Sequence, residues 1–177
     1  STAEEVYQQI ISDAQSAIEQ LSIPDKFPQS GLATKGAATM LLAEVYMTQK
    51  KYTEAVVQLN SLTTMGYDLL PNYTDVFSTA NKNSKESIFE VQYQQGLQGE
   101  QQSNFIYSFL PRCLNTGLIT YDIETNNTST GGWNTPTSDI IAAYEVGEKR
   151  KDASIGIAEG SYNASLNFQL SAYKSIE

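Results

Sequence analysis

Up to Leu62 the apolar residues recur at spacings of three and four; beyond Gly66 that rhythm is lost. Val6, Ile10, Ala14, Ala17, Ile18 and Leu21 predict an amphipathic helix that stops near Pro24. Thr2 and Glu5 stand three apart ahead of it, the spacing of a capping box in which each side chain bonds the other's backbone amide. A loop from Phe27 to Lys35 contains Pro28 and Gly31, and Thr34 is placed to cap a second helix carrying Ala38, Leu42, Ala43, Val45 and Tyr46. That helix fades at Gln49-Lys50-Lys51. A third starts near Tyr52, carries Ala55, Val56, Leu59 and Leu62, and ends toward Gly66 as a left-handed cap.

The second and third helices predict an αα-hairpin of tetratricopeptide type. Ala43 falls where two helix backbones approach, Tyr46 follows three later, and Ala55 and Leu59 take the close-contact and large apolar positions of the return helix. The closing proline of that repeat is absent, with Tyr67 in its place. Helix one then reads as the second half of a preceding repeat, which implies that the chain is a fragment of a longer solenoid.

Residues 71–177 have a different texture from the helical 1–70. Tyr73–Phe77 predicts one short helical turn, and Ser87–Tyr93 alternates with period two as a half-buried strand. From Gln94 to Gly132 the chain is polar and irregular, with Phe105, Tyr107, Phe109, Leu118 and Tyr121 spread through it. A loop so long within a compact domain is functional or disordered, and its aromatics favour function. A further helix is expected from Thr135 or Thr137 to Val146, and weak strand character at Leu166, Phe168 and Leu170. The fold class is therefore mostly α: tetratricopeptide-like hairpins, then a loop-rich region with short strands and one further helix.

Composition removes several kinds of chemistry. There is no histidine, so Ser-His-Asp and Cys-His catalysis and histidine-bearing zinc sites are excluded. The single Cys113 can form neither an internal disulfide nor a thiolate cluster, and reads as a half-buried small hydrophobe. Net charge is −9 and the eleven Lys and Arg are scattered, which disfavours nucleic acid as a partner. Asn81–Glu86 starts like a calcium loop, but Lys85 and the missing acids break it, so no metal or cofactor is expected.

Several segments in order resemble one family. They are Asp13–Ile18; Gly31–Ala38 with Leu42-Ala43-Glu44-Val45-Tyr46; Tyr67–Phe77; Glu86–Val91; and Gly132-Trp133, Pro136-Thr137 and Tyr144–Arg150. The set is similar to the SusD/RagB family of outer-membrane glycan-binding lipoproteins. The resemblance implies a protein on the extracellular face of a Gram-negative outer membrane that captures oligosaccharides or polysaccharides without catalysis. It also implies delivery to a TonB-dependent transporter, and membrane association only through a lipid anchor that is absent here, since Cys113 is internal.

Neutral sugars are held by aromatic faces against their CH groups and by amide, carboxylate and guanidinium hydrogen bonds to hydroxyls. Trp133, Tyr121, Tyr107, Asn115 and Arg112 supply these groups in the segment where the resemblance implies part of the site. Trp133, between two glycines and a polar helix start, is either an anchor in the core or such a face. Tyr46, Tyr52, Tyr67 and Tyr144 read as packing. One alternative is a helical scaffold that docks the transporter without binding glycan. A glycoside hydrolase is the other, disfavoured because Asp122 and Glu124, two apart on an extended segment, point to opposite faces and cannot flank one bond.

Overall fold

The computed structural model describes residues 1–94, 103, 105–120 and 131–175. Contacts divide the chain into two compact units, 1–92 and 93–177. Segment 71–92 is tied back to the loops that flank the helices: the Asp68 amide donates to the Lys85 carbonyl at 3.0 Å, the Leu70 amide to the Glu86 carboxylate at 2.7 Å, and the Gln29 amide to the Asn83 carbonyl at 2.9 Å.

The first unit holds α1 (Ala3–Gln20), α2 (Lys35–Thr48) and α3 (Tyr52–Leu62). The capping box at Thr2 forms in full: the Thr2 amide donates to Glu5 Oε2 at 2.7 Å and the Glu5 amide to Thr2 Oγ1 at 3.3 Å. Thr34 caps α2 by accepting from the Ala37 amide, and Gly66 adopts the left-handed conformation beyond α3. Helix α2 packs on both α1 and α3. Ile11, Ala14, Leu42 and Val45 form the core, with Tyr7, Ile10, Ile18 and Tyr46 against it. The buried face of α1 thus runs through Tyr7, Ile10, Ile11, Ala14 and Ile18, so that Ile10, Ala14 and Ile18 of the stripe read in the sequence face the core while Val6 is exposed.

Small residues set the helix spacing. Ala43 is 0% and Ala55 2% exposed, the close contacts expected of the hairpin, and Leu42 beside them is 2% exposed. Removing a leucine side chain of that kind from water stabilises by about 1.5–3 kcal/mol. Gly36 lies directly under Tyr67: a Cβ built there would come within 2.2 Å of its hydroxyl and 2.5–2.6 Å of its ring. The Tyr67 hydroxyl bonds Thr34 Oγ1 at 3.0 Å and its ring meets Phe27 edge to face at 5.9 Å. Tyr67 therefore locks the entry to α2, the packing role its position suggested. Tyr52, by contrast, is exposed.

The strand expected over Ser87–Tyr93 does not form. Its alternation survives, with Phe89 and Val91 both outward, but among the described residues no neighbour supplies a ladder. Side chains take over instead: the Asn83 amide donates to the Glu90 carboxylate at 3.2 Å, and Gln92 Nε2 bridges to Asn83 Oδ1 at 2.9 Å. Burial pushes the Glu90 carboxyl up, but hydrogen bonds from Ser87, Asn83 and Gln92, with Lys82 nearby, outweigh it and hold the group below its usual range. A short helical turn does form at Tyr73–Phe77, as a 3-10 helix.

The second unit holds α4 (Gly117–Thr120), α5 (Ser138–Ala142), α6 (Lys149–Ser154) and an antiparallel hairpin of β1 (Gly156–Tyr162) and β2 (Phe168–Ser175). Helix α5 stops well short of Val146. Helices gain most of their stability by packing an apolar face, and Ile140 and Val146 lie exposed. The strand tendency at Phe168 and Leu170 belongs to β2. Leu166 instead sits in the hairpin turn, where Asn163 Oδ1 accepts from the Ser165 and Asn167 amides. The architecture is the mostly helical one expected, with more and shorter elements after the hairpin. No described helix is long and apolar enough to cross a membrane.

Two outcomes test this packing. Gly36→Ala should destabilise the chain by about 1–3 kcal/mol in urea unfolding, because the Tyr67 ring must yield; an unchanged midpoint would show that the ring is not locked. The depressed Glu90 carboxyl contributes stability that is present above the unfolded carboxyl range and lost as pH falls through the folded pKa. Glu90→Gln should therefore flatten part of the acid-side decline in stability, while leaving the same decline would mean that other carboxylates carry it.

Candidate functional site

Trp133 sits on a backbone clamp. Three successive amides donate to carbonyls of the 107–110 segment: Gly131 to Tyr107 at 3.2 Å, Gly132 to Leu110 at 2.9 Å and Trp133 to Ser108 at 2.9 Å. The two glycines serve different ends. A Cβ on Gly131 would lie 2.5 Å from the Ser108 carbonyl oxygen, so Gly131 serves close approach, whereas Gly132 takes the left-handed conformation at a φ of +64°. Thr135 Oγ1 donates to the Gly132 carbonyl at 3.1 Å, tying off the turn.

The clamp holds the Trp133 backbone while leaving its side chain 63% exposed. The core-anchor reading of Trp133 does not describe the unit as it stands; the indole is an open, supported face. The Arg112 backbone and Cβ lie against Gly132, the residue before Trp133, and Arg112 is exposed.

The remaining predicted residues fall elsewhere. Tyr107 is 8% exposed, so its ring is enclosed and supports the clamp rather than offering a stacking face. Asn115 is engaged with β2: the Leu170 amide donates to its Oδ1 at 3.0 Å, and its Nδ2 donates to the Leu170 carbonyl. The amide side chain imitates a peptide group and continues the parallel bridge between Leu114 and Gln169. Asn115 therefore acts as a positioning residue for β2. Tyr121 lies outside the described residues, as do Asp122 and Glu124.

The charges do not assemble an acid–base pair on the described residues. Asp139 occupies the exposed first turn of α5, and Glu145 is exposed beyond it. Burial raises the Cys113 thiol, which keeps it protonated and weakly nucleophilic. In the calcium-like loop the Glu86 carboxylate accepts from the Leu70 amide, and among the described residues no three acids or thiols group to hold a metal ion.

Comparison with known proteins places this fold. No family model matches the chain. A SusD-like protein of Bacteroides ovatus is 26% identical over 176 residues, covering 90% of this chain and 29% of that protein. A solved SusD-like protein from Bacteroides fragilis superposes with a TM-score of 0.67 at 24% identity, covering 97% of this chain and 38% of the other. The surface glycan-binding protein A of Bacteroides thetaiotaomicron, solved in complex with laminarihexaose, gives a TM-score of 0.66 at 22% identity, with 86% and 33% covered. The chain is SusD-like in fold and along most of its sequence, and it spans about a third of the length of the relatives it matches.

Sequence reading missed the carbonyls of Ser108 and Leu110 as the seat of Trp133. The signal available was Gly131-Gly132, the pair that lets a backbone lie flush on its neighbour. Asn115→Ala should cost about 1–3 kcal/mol by leaving the Leu170 backbone groups without their partner. Urea unfolding checks it, and a neutral result would return Asn115 to the list of ligand contacts.

Proposed function

We propose that this chain is the central part of a non-catalytic surface protein that captures neutral oligosaccharides or polysaccharides. The observation that carries the reading is Trp133, 63% exposed on a backbone fixed by hydrogen bonds, with the Arg112 backbone against the preceding Gly132. An exposed indole is costly to leave in water unless a partner covers it, and the CH face of a pyranose is such a partner. Arg112 supplies planar donors for hydroxyls at the edge of the ring. The SusD-like fold supports the same reading, as does the laminarihexaose bound by one structural neighbour.

The finer reading is a protein held at the outer-membrane surface that passes its glycan to a TonB-dependent transporter. Its support is the family resemblance alone. Tyr121 is proposed as a further contact from the same segment.

Trp133 is the only tryptophan, so its fluorescence reports this site alone. A titration with laminarihexaose, maltohexaose, xylohexaose and mannohexaose should change that emission with at least one of them. Trp133→Ala should abolish retention on the corresponding polysaccharide gel with thermal stability unchanged. Arg112→Ala should weaken binding about tenfold, the loss of one good polar contact. If Trp133→Ala unfolds the chain, the indole is structural and the scaffold reading takes over. Any release of sugar products would overturn the non-catalytic assignment.

A further inference from the structure

The second unit contains a cleft that none of the predicted residues touch. It lies where α6 meets the start of β1 and the end of β2, has a volume of about 310 Å³, and is lined by Asp152, Ser154, Ile155, Gly156, Tyr173 and Lys174. We propose that this cleft is a second carbohydrate-binding site, separate in its residues from the Trp133 face; the choice of ligand rests on the glycan-capture reading above.

The argument starts from Gly156. A Cβ there would lie 2.3 Å from the Tyr173 hydroxyl and 2.6–2.8 Å from its ring. The register pairs Tyr173 with Ala158, so the phenol leans diagonally along β1 and lies over Gly156, which has no side chain. Its ring is thereby fixed at the cleft while Tyr173 stays 42% exposed. A fixed, half-open aromatic ring is the element a pyranose stacks on.

The surrounding groups are matched to hydroxyls. Helix α6 ends at Ser154, and the Ile155 amide closes its last turn on the Lys151 carbonyl at 3.0 Å. The carbonyls of Asp152, Ala153 and Ser154 follow that bond, and a helix leaves its final carbonyls without later helical amides to accept from. They accept from hydroxyl donors. The Asp152 carboxylate adds acceptors, and the Ser154 and Tyr173 hydroxyls both donate and accept. Lys174 does not make the cleft cationic, because its Nζ pairs with Glu159 at 3.0 Å across the hairpin. A phosphate or carboxylate ligand would meet Asp152 and a row of carbonyls, and an apolar ligand would leave them without partners. A neutral, hydroxyl-rich ligand satisfies both, and the volume is at the small end of ligand pockets, suited to a sugar unit or two.

The single tryptophan makes the test selective. Calorimetric titration of the 177-residue chain with the same four hexasaccharides reads all binding, whereas tryptophan emission reads only Trp133. The expected result is heat of binding that persists in Trp133→Ala and is weakened about tenfold or more by Tyr173→Ala. The emission titration of the Tyr173→Ala chain should match wild type. Asp152→Ala, on an exposed helix position, should weaken the same event and guards against a hairpin effect of the tyrosine change. Trp133→Ala abolishing all heat overturns the second site and leaves the first. Loss of heat in Tyr173→Ala with no emission change in wild type supports the cleft and overturns the Trp133 site. No heat with any of the four sugars overturns both.

Discussion

Close approach at positions without side-chain bulk sets the geometry of both units. Ala43 and Ala55 bring the helices of the first unit together, and Gly36 lets the Tyr67 ring lie on α2. In the second unit Gly131 lies flush on the Ser108 carbonyl and Gly156 lies under the Tyr173 phenol. At each of these glycines one Cβ would meet packed atoms. Interiors are packed at crystal-like density, so such a contact cannot be absorbed by small shifts everywhere. It either holds its neighbour in one place or is lost. What the small residues determine is therefore where the large aromatic groups stand.

The consequence differs between the units. Under Gly36 the aromatic group is turned inward, bonded through its hydroxyl to the cap of α2, and contributes stability. Beside Gly131 and Gly156 the aromatic groups remain open to solvent on a fixed base. A rigid aromatic face loses little conformational freedom when a ligand covers it, which favours binding without a change in the protein. The same local device thus serves packing in one unit and presentation in the other, and exposure decides which.

Much of the helical unit was legible in the sequence. The capping box at Thr2, the cap at Thr34, the stop at Gly66 and the contacts of Ala43 and Ala55 are all local or periodic signals, and the structure has each of them. The second unit was legible only in part. Its elements are short, so their periodicity is weak, and their positions depend on partners far along the chain. Asn115 shows why. Its amide chemistry suits a sugar hydroxyl and a strand edge equally, and only the position of Leu170, fifty-five residues later, makes it the second. Tyr107 is enclosed, and nothing local marks a tyrosine in a polar segment as enclosed. The Ser87–Tyr93 alternation was real, but a strand also needs a neighbour, which sequence period does not supply.

The different supports of the two open aromatic groups also bear on how a glycan would be held. Trp133 rests on backbone hydrogen bonds to the 107–110 segment, whereas Tyr173 rests on the hairpin and on Gly156. Neither support includes the other, so a change that loosens one need not loosen the other. Two weak sites on one polymer act together: once the first is occupied, the second sees a high local concentration of sugar if the chain between them can span the gap. Such a protein would retain long polysaccharides far better than either site retains a short oligosaccharide. Its preference would then follow chain length and the spacing of sugar units as much as the identity of any one of them, which is a requirement that a single stacking face could not impose.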